Sequence, residues 1–177
     1  MRTRKAFVLA GLWAFLVVIA VHSLQFPGSV PDFTRASGGG ILLDALPAFT
    51  TDGIYDRLAG YGEEGRRNYS LRNVTIDVLL PLSVFPFLLF LNRRALARYS
   101  LDTVMRGVVL SLPIAYVVFD LIENASVLVL LANYPERMNA LAASLPYTTL
   151  VKRAASLLAL VIPLVMLGFR FIRPRRP

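Results

Sequence analysis

The sequence has no cysteine and a single histidine, His22. The first absence excludes disulfide frameworks, thiol nucleophiles and cysteine-based metal sites. The second excludes the multi-histidine sites that hold zinc. No metal and no cofactor is therefore expected. Charge is also scarce. Asp, Glu, Lys and Arg make up 17% of the 177 residues, against about a quarter in soluble domains. Lysine is nearly missing, with Lys5 and Lys152 the two examples among 19 basic residues. No internal repeat is visible, which removes the inverted-repeat plan of many transporters.

Apolar residues stand in place of charge. They form 56% of the chain and gather into long runs rather than recurring at the period of a soluble core. Runs of that kind have lipid as their solvent. The net charge is +8, and a basic balance can signal nucleic acid. Here no soluble basic face exists to carry such binding, whereas Lys and Arg of a membrane protein collect at cytoplasmic ends. Membrane lipids are the expected partners, and nucleic acid is not.

Four spans are predicted, at about residues 6–24, 73–91, 104–131 and 147–169, with a long connection over residues 25–72. The fold class is all-α: a polytopic transmembrane four-helix bundle in one domain, with short interfacial helices in its outer loops. Val21-His22-Ser23 is compatible with signal-peptide cleavage, but the preceding apolar run is long for a signal sequence, so an uncleaved first span is expected. Residues 78–91 are uncharged but only about 21 Å long as a helix, short of the ~30 Å hydrocarbon core. The second span must then reach back to Asn73 and take Asp77 into the membrane.

In the connection, Pro27, Pro31 and Gly38-Gly39-Gly40 read as loop. Thr51 and Asp52 can cap a short helix that Gly60 stops. Glu63 and Glu64 suit the first turn of another, starting near Gly62 and running into the second span. Ser100 is the expected cap of the third span. Residues 138–145 read as a short interfacial helix broken by Pro146.

The side holding residues 1–5, 92–106 and 170–177 carries 11 basic residues in 28 positions, and the other side carries 8 in 70. This bias predicts both termini in the cytoplasm. The preference for Arg over Lys is the usage of a GC-rich bacterial genome, so the expected location is a bacterial plasma membrane. Asn68-Tyr69-Ser70 and Asn73-Val74-Thr75 match glycosylation acceptors, but both lie too near the membrane for use.

Charges at the bilayer centre cost at least ~2.5–3.5 kcal/mol each on insertion scales, so those inside spans mark candidate sites. Asp120, Glu123 and Asn124 fall at i, i+3 and i+4 and share one helix face, with Tyr116 one turn earlier. Lipid cannot solvate that stripe, so it points into the bundle. Lys152 and Arg153 near the start of span four, Asp77 of span two and His22 of span one lie on the same side of the midplane. One outward-facing polar pocket would satisfy them all. Pro81 lacks an N–H and frees the Asp77 carbonyl four residues back, creating an acceptor-rich spot. Pro86, Pro113 and Pro163 also sit in spans, as kinks that shape the bundle.

Gly65-Arg66-Arg67, Asp77 with Pro81, and Asp120-Leu121-Ile122-Glu123-Asn124 together resemble a group of four-span membrane proteins of uncharacterised activity. The layout of span two, with Asp77 ahead of Pro81 and Pro86, and of span four, with Ile162-Pro163, is similar to that of the emopamil-binding-protein-like (EXPERA) family. No His-x-x-x-Glu pair accompanies it, so the similarity is one of layout. It implies a bundle whose acidic residues hold the cationic centre of a lipophilic ligand, a role open to Asp77, Asp120 and Glu123.

Three functions follow as expectations. The first is binding or conversion of a lipophilic small molecule in the outward pocket. The second is a structural or assembly subunit whose polar residues fasten helices or a protein partner. The third is a small proton-coupled transporter, although span one lacks the carboxylate of the small multidrug type.

Overall fold

A computed structural model describes residues 2–172, with side chains placed for residues 5–169. The terminal arginines used in the topology count, Arg2, Arg4, Arg170, Arg173, Arg175 and Arg176, fall outside the described side chains. Among the described residues there are seven helices and no strand: α1 (Arg2–Ser23), α2 (Val30–Ala36), α3 (Thr51–Gly60), α4 (Gly62–Val74), α5 (Ile76–Leu96), α6 (Thr103–Asn133) and α7 (Asn139–Ile172). Four segments are long and apolar enough to cross a membrane: Lys5–Ser23, Gly62–Leu96, Thr103–Asn133 and Asn139–Phe169. Their apolar windows are only 11% to 28% buried within the protein. A water-soluble bundle hides such surface, so the exposed faces match lipid rather than water.

At 1.5 Å per residue, α6 is about 46 Å long and α7 about 51 Å, well beyond a ~30 Å hydrocarbon core. They are joined by a short turn and pack closely on each other, while α1 packs on α5 and α2. The principal buried apolar cluster lies at the end where α6 meets α7. There Val127, Leu130, Leu131, Ala142 and Leu145 meet Leu42, Leu43, Ile54, Tyr55, Leu58 and the rings of Phe33, Tyr61 and Tyr69. The segment from α2 to α4 thus forms a cap over one end of the bundle. Phe33 packs on Tyr61 and Tyr69 with ring centroids 5.1 and 5.2 Å apart. The Tyr61 hydroxyl donates to the Ile41 carbonyl at 2.6 Å, and the Tyr69 hydroxyl accepts from the Leu43 amide at 3.2 Å. Gly62, at φ +63°, turns the chain from α3 into α4. Gly65 allows close approach: a Cβ there would lie 2.9 Å from Ser37 Cα.

Several boundaries differ from expectation, each for a local reason. Residues 30–36 form α2 rather than loop, because Pro31 lies in the first turn, where a missing N–H costs nothing. Ser29 caps that helix, accepting from the Asp32 amide at 3.3 Å. Thr50, not Thr51 or Asp52, caps α3. The helix begun at Gly62 does not run unbroken into the second span. It stops at Thr75, φ −119° and ψ −81°, inside the β-branched run Val74-Thr75-Ile76. Such residues favour helix weakly, and the Thr75 hydroxyl takes the Leu71 carbonyl at 2.7 Å. The second span also continues to Leu96, past Arg93 and Arg94. Asp102 rather than Ser100 caps α6, accepting from the Met105 amide at 2.7 Å. Pro146 does not break the chain into an interfacial helix and a span, since α7 runs through it. One lost helix bond, worth about 3 kcal/mol, is offset where Leu145 and Pro146 are buried at the cap.

Candidate functional site

Where the cap meets the bundle, four helices and the segment 41–48 deliver polar side chains to one place. The helical period of α6 puts Asp120, Glu123 and Asn124 on its face toward α7, all buried. α7 answers with Thr149 and Lys152, three residues apart and so also on one face. The Lys152 ammonium lies 3.2 Å from Asp120 Oδ1, is hydrogen-bonded to Glu123 Oε2, and stands 3.8 Å from Asp44 Oδ2 of the cap. Glu123, 1% exposed, also accepts a hydrogen bond from the Thr149 hydroxyl through Oε1.

The break at Thr75 builds the other half. It lets Arg72, at the end of α4, fold back on Asp77 at the start of α5, with Nη2 2.7 Å from Oδ1. Arg72 is 2% exposed, and its Nη1 donates to the Gly28 carbonyl at 2.8 Å. Asn124 joins the halves: its Nδ2 donates to the Asp77 carbonyl at 2.8 Å and to Asp120 Oδ2 at 3.0 Å. The carbonyl that Pro81 frees is therefore filled by a neighbouring helix.

The predicted candidates divide accordingly. Asp77, Asp120, Glu123, Asn124 and Lys152 come together. Tyr116 is half-buried one turn from Asp120 on the same helix. Arg153 does not enter the cluster. It is exposed, and its Nη2 donates to the Asp44 and Ala45 carbonyls, the latter at 2.7 Å, so it clamps the cap to α7. His22 is exposed on α1, its Nδ1 2.8 Å from the Val18 carbonyl, and does not join the shared pocket expected of it. Its short helix-side bond satisfies the ring locally, and α1 packs on α5 and α2 rather than on α6 or α7.

Three members were missed. Thr149 precedes Lys152 by three residues, a same-face spacing that the sequence displays. Asp44 is the lone charge in the apolar stretch 41–48, a signal as plain as that of Asp120. Arg72 gives no local signal, because its partnership depends on the break at Thr75.

Acidic side chains outnumber the buried basic ones. Two buried cations, Arg72 and Lys152, face four carboxylates: Asp44, Asp77, Asp120 and Glu123. Arg153 adds a positive charge at the rim, where solvent screens it. The Asp44 side chain is 31% exposed, yet its Oδ1 is buried without a hydrogen-bond partner. Among the described residues no group of His, Cys, Asp and Glu is arranged to hold a metal ion. The centre of the cluster is an ammonium.

No protein-family model matches the chain, and neither the curated proteins nor the solved structures contain a match.

Proposed function

We propose that this is an integral membrane protein that binds the cationic group of a lipophilic molecule in the cluster beneath its cap, with the cap on the outer side and both termini in the cytoplasm. The observation that supports this reading is the surplus of carboxylate over buried cation. Two acidic groups have no buried cation of their own, and a cationic ligand would supply the positive charge that bound protons otherwise must. Asp44 is the natural point of first contact. It is the most exposed of the four carboxylates.

The reading is tested by comparing a lipophilic amine with its neutral isostere. Dodecylamine, protonated at neutral pH, should raise the melting temperature of the detergent-solubilised wild type, and dodecanol should not. An Asp120→Asn/Glu123→Gln variant should lose the difference. Equal effects of amine and alcohol on the wild type would sink the proposal.

A second reading has its own support. Lys152 ties α6, α7 and the cap together, and Arg153 pins the same cap segment from outside. That is the arrangement of a structural or assembly subunit whose cap is presented to a protein partner. It predicts that loss of the carboxylates lowers yield with no change in amine response.

A further inference from the structure

The cap holds a second feature that the cluster does not use. A cavity of about 400 Å³ opens between the glycine turn and α3, lined by Gly39, Ile41, Leu46, Arg57, Gly60 and Tyr61 among others. Its walls combine two half-exposed aliphatic side chains, Ile41 and Leu46, with one guanidinium. The Arg57 Nη1 donates to the Leu46 carbonyl, which holds the side chain across the cavity wall. Arg153 donates to the two preceding carbonyls, of Asp44 and Ala45. Two guanidiniums therefore grip one short turn from opposite elements, and each commits a single amino nitrogen in these bonds. The neighbouring carboxylate, Asp44, turns its Oδ2 to Lys152 instead.

The depth of this turn bears on the ligand. Residues 154–169 of α7 are uncharged and about 24 Å long as helix. That is about 6 Å short of the ~30 Å hydrocarbon core, so Arg153 lies just inside its outer edge. The turn that it clamps lies at the same depth, where acyl chains meet the headgroups and a guanidinium can snorkel outward. Close by, Phe49 and Tyr147 pair edge to face with ring centroids 6.3 Å apart, both largely exposed. Aromatic residues of this kind favour the headgroup level.

From this juxtaposition we infer that the cap cavity is a binding site for an anionic phospholipid. Arg57 receives the phosphate, and Ile41 and Leu46 receive the start of the acyl chains. Arg suits the phosphate because its planar fork of donors matches the phosphate oxygens. The glycines keep the cavity open. At Gly60 a Cβ would meet nothing within 4 Å, so a larger side chain there grows into free space without striking the protein.

The test uses the full-length protein in a non-ionic detergent, titrated separately with short-chain phosphatidylglycerol, short-chain phosphatidylcholine and inorganic phosphate. Native mass spectrometry reads occupancy, and circular dichroism checks the fold of each variant. Both lipids offer Arg57 a phosphate, but the choline cation of phosphatidylcholine is repelled by the guanidinium, so the wild type should bind phosphatidylglycerol about tenfold more tightly. Arg57→Gln should abolish that preference. Gly60→Leu, which leaves Arg57 in place, should weaken phosphatidylglycerol binding by at least about tenfold. Equal affinity of the wild type for the two lipids overturns the inference. So does unchanged binding to a folded Gly60→Leu protein. Phosphate binding as tightly as the lipid would overturn it too, by showing a site for the free anion.

Discussion

Pro81 deprives the Asp77 carbonyl of its helical partner, and Asn124 Nδ2 replaces that partner at 2.8 Å while also holding Asp120. Asn124→Leu should therefore cost about 1–3 kcal/mol, the price of stranding buried acceptors. In a Pro81→Ala background the amide at 81 returns to the Asp77 carbonyl and the loss should shrink. Thermal unfolding of the four proteins in detergent reads this coupling, and strict additivity would contradict it. Lys152→Met strands Asp120 and Glu123 in a buried setting and should destabilise by about 3–5 kcal/mol. Adding Asp120→Asn and Glu123→Gln should recover most of that loss, as removing both partners of a pair is milder than removing one. Asp32 governs the acid side of the cap. Its carboxylate accepts from Asn68 Nδ2 at 2.6 Å and the Gly28 amide at 3.1 Å, and it pairs with Arg35. The Asn68 bond first, then the Gly28 amide, hold its pKa below the ordinary value near 3.8. The group is more acidic folded than unfolded, so its contribution is complete above the ordinary carboxylate range and fades as pH falls through the folded pKa. An Asp32→Asn protein should lose less cap protection than the wild type on going from pH 6 to about pH 3, as read by amide exchange in α2 and α4.

The cap is held to the long helices by Arg153 on the Asp44 and Ala45 carbonyls and by Tyr55, whose hydroxyl donates to the Glu136 carbonyl at 3.1 Å and accepts from the Met138 amide at 2.6 Å, while Arg57 on the Leu46 carbonyl ties the cap to itself. Arg153→Ala should speed amide exchange across residues 41–49 and leave α6 unchanged. Equal exchange in both proteins would show that the apolar contacts alone hold the turn. The long apolar helices were legible in the sequence because hydropathy is a local property. So was the face shared by Asp120, Glu123 and Asn124, which follows from helical period alone. What could not be read depends on pairing between distant segments. Pro31 and Pro146 look alike in the sequence, yet one starts α2 and the other sits inside α7, buried under the cap. Arg72 belongs to the site only because the helix breaks at Thr75, and His22 falls outside it because α1 packs on α5 and α2.

The molecule as a whole is two layers of different solvent. Apolar helices expose most of their surface, as lipid permits, and an aromatic-centred cap closes over one end of α6 and α7. The candidate site lies at their boundary, directly beneath the cap. On the proposed reading, that position takes a ligand with an apolar body and a charged head, and the surplus of acidic side chains sets the sign of the head. The most direct measurement is mass spectrometry of the small molecules that co-purify with the wild type and with the Asp120→Asn/Glu123→Gln variant in mild detergent. The account predicts a specific lipophilic cation present in the wild type and lost from a variant that is still folded by circular dichroism, though less stable because Lys152 has lost two buried partners. Bulk lipid alone in both preparations, with the variant merely less stable, would contradict it and leave the cluster as the fastening between cap and helices.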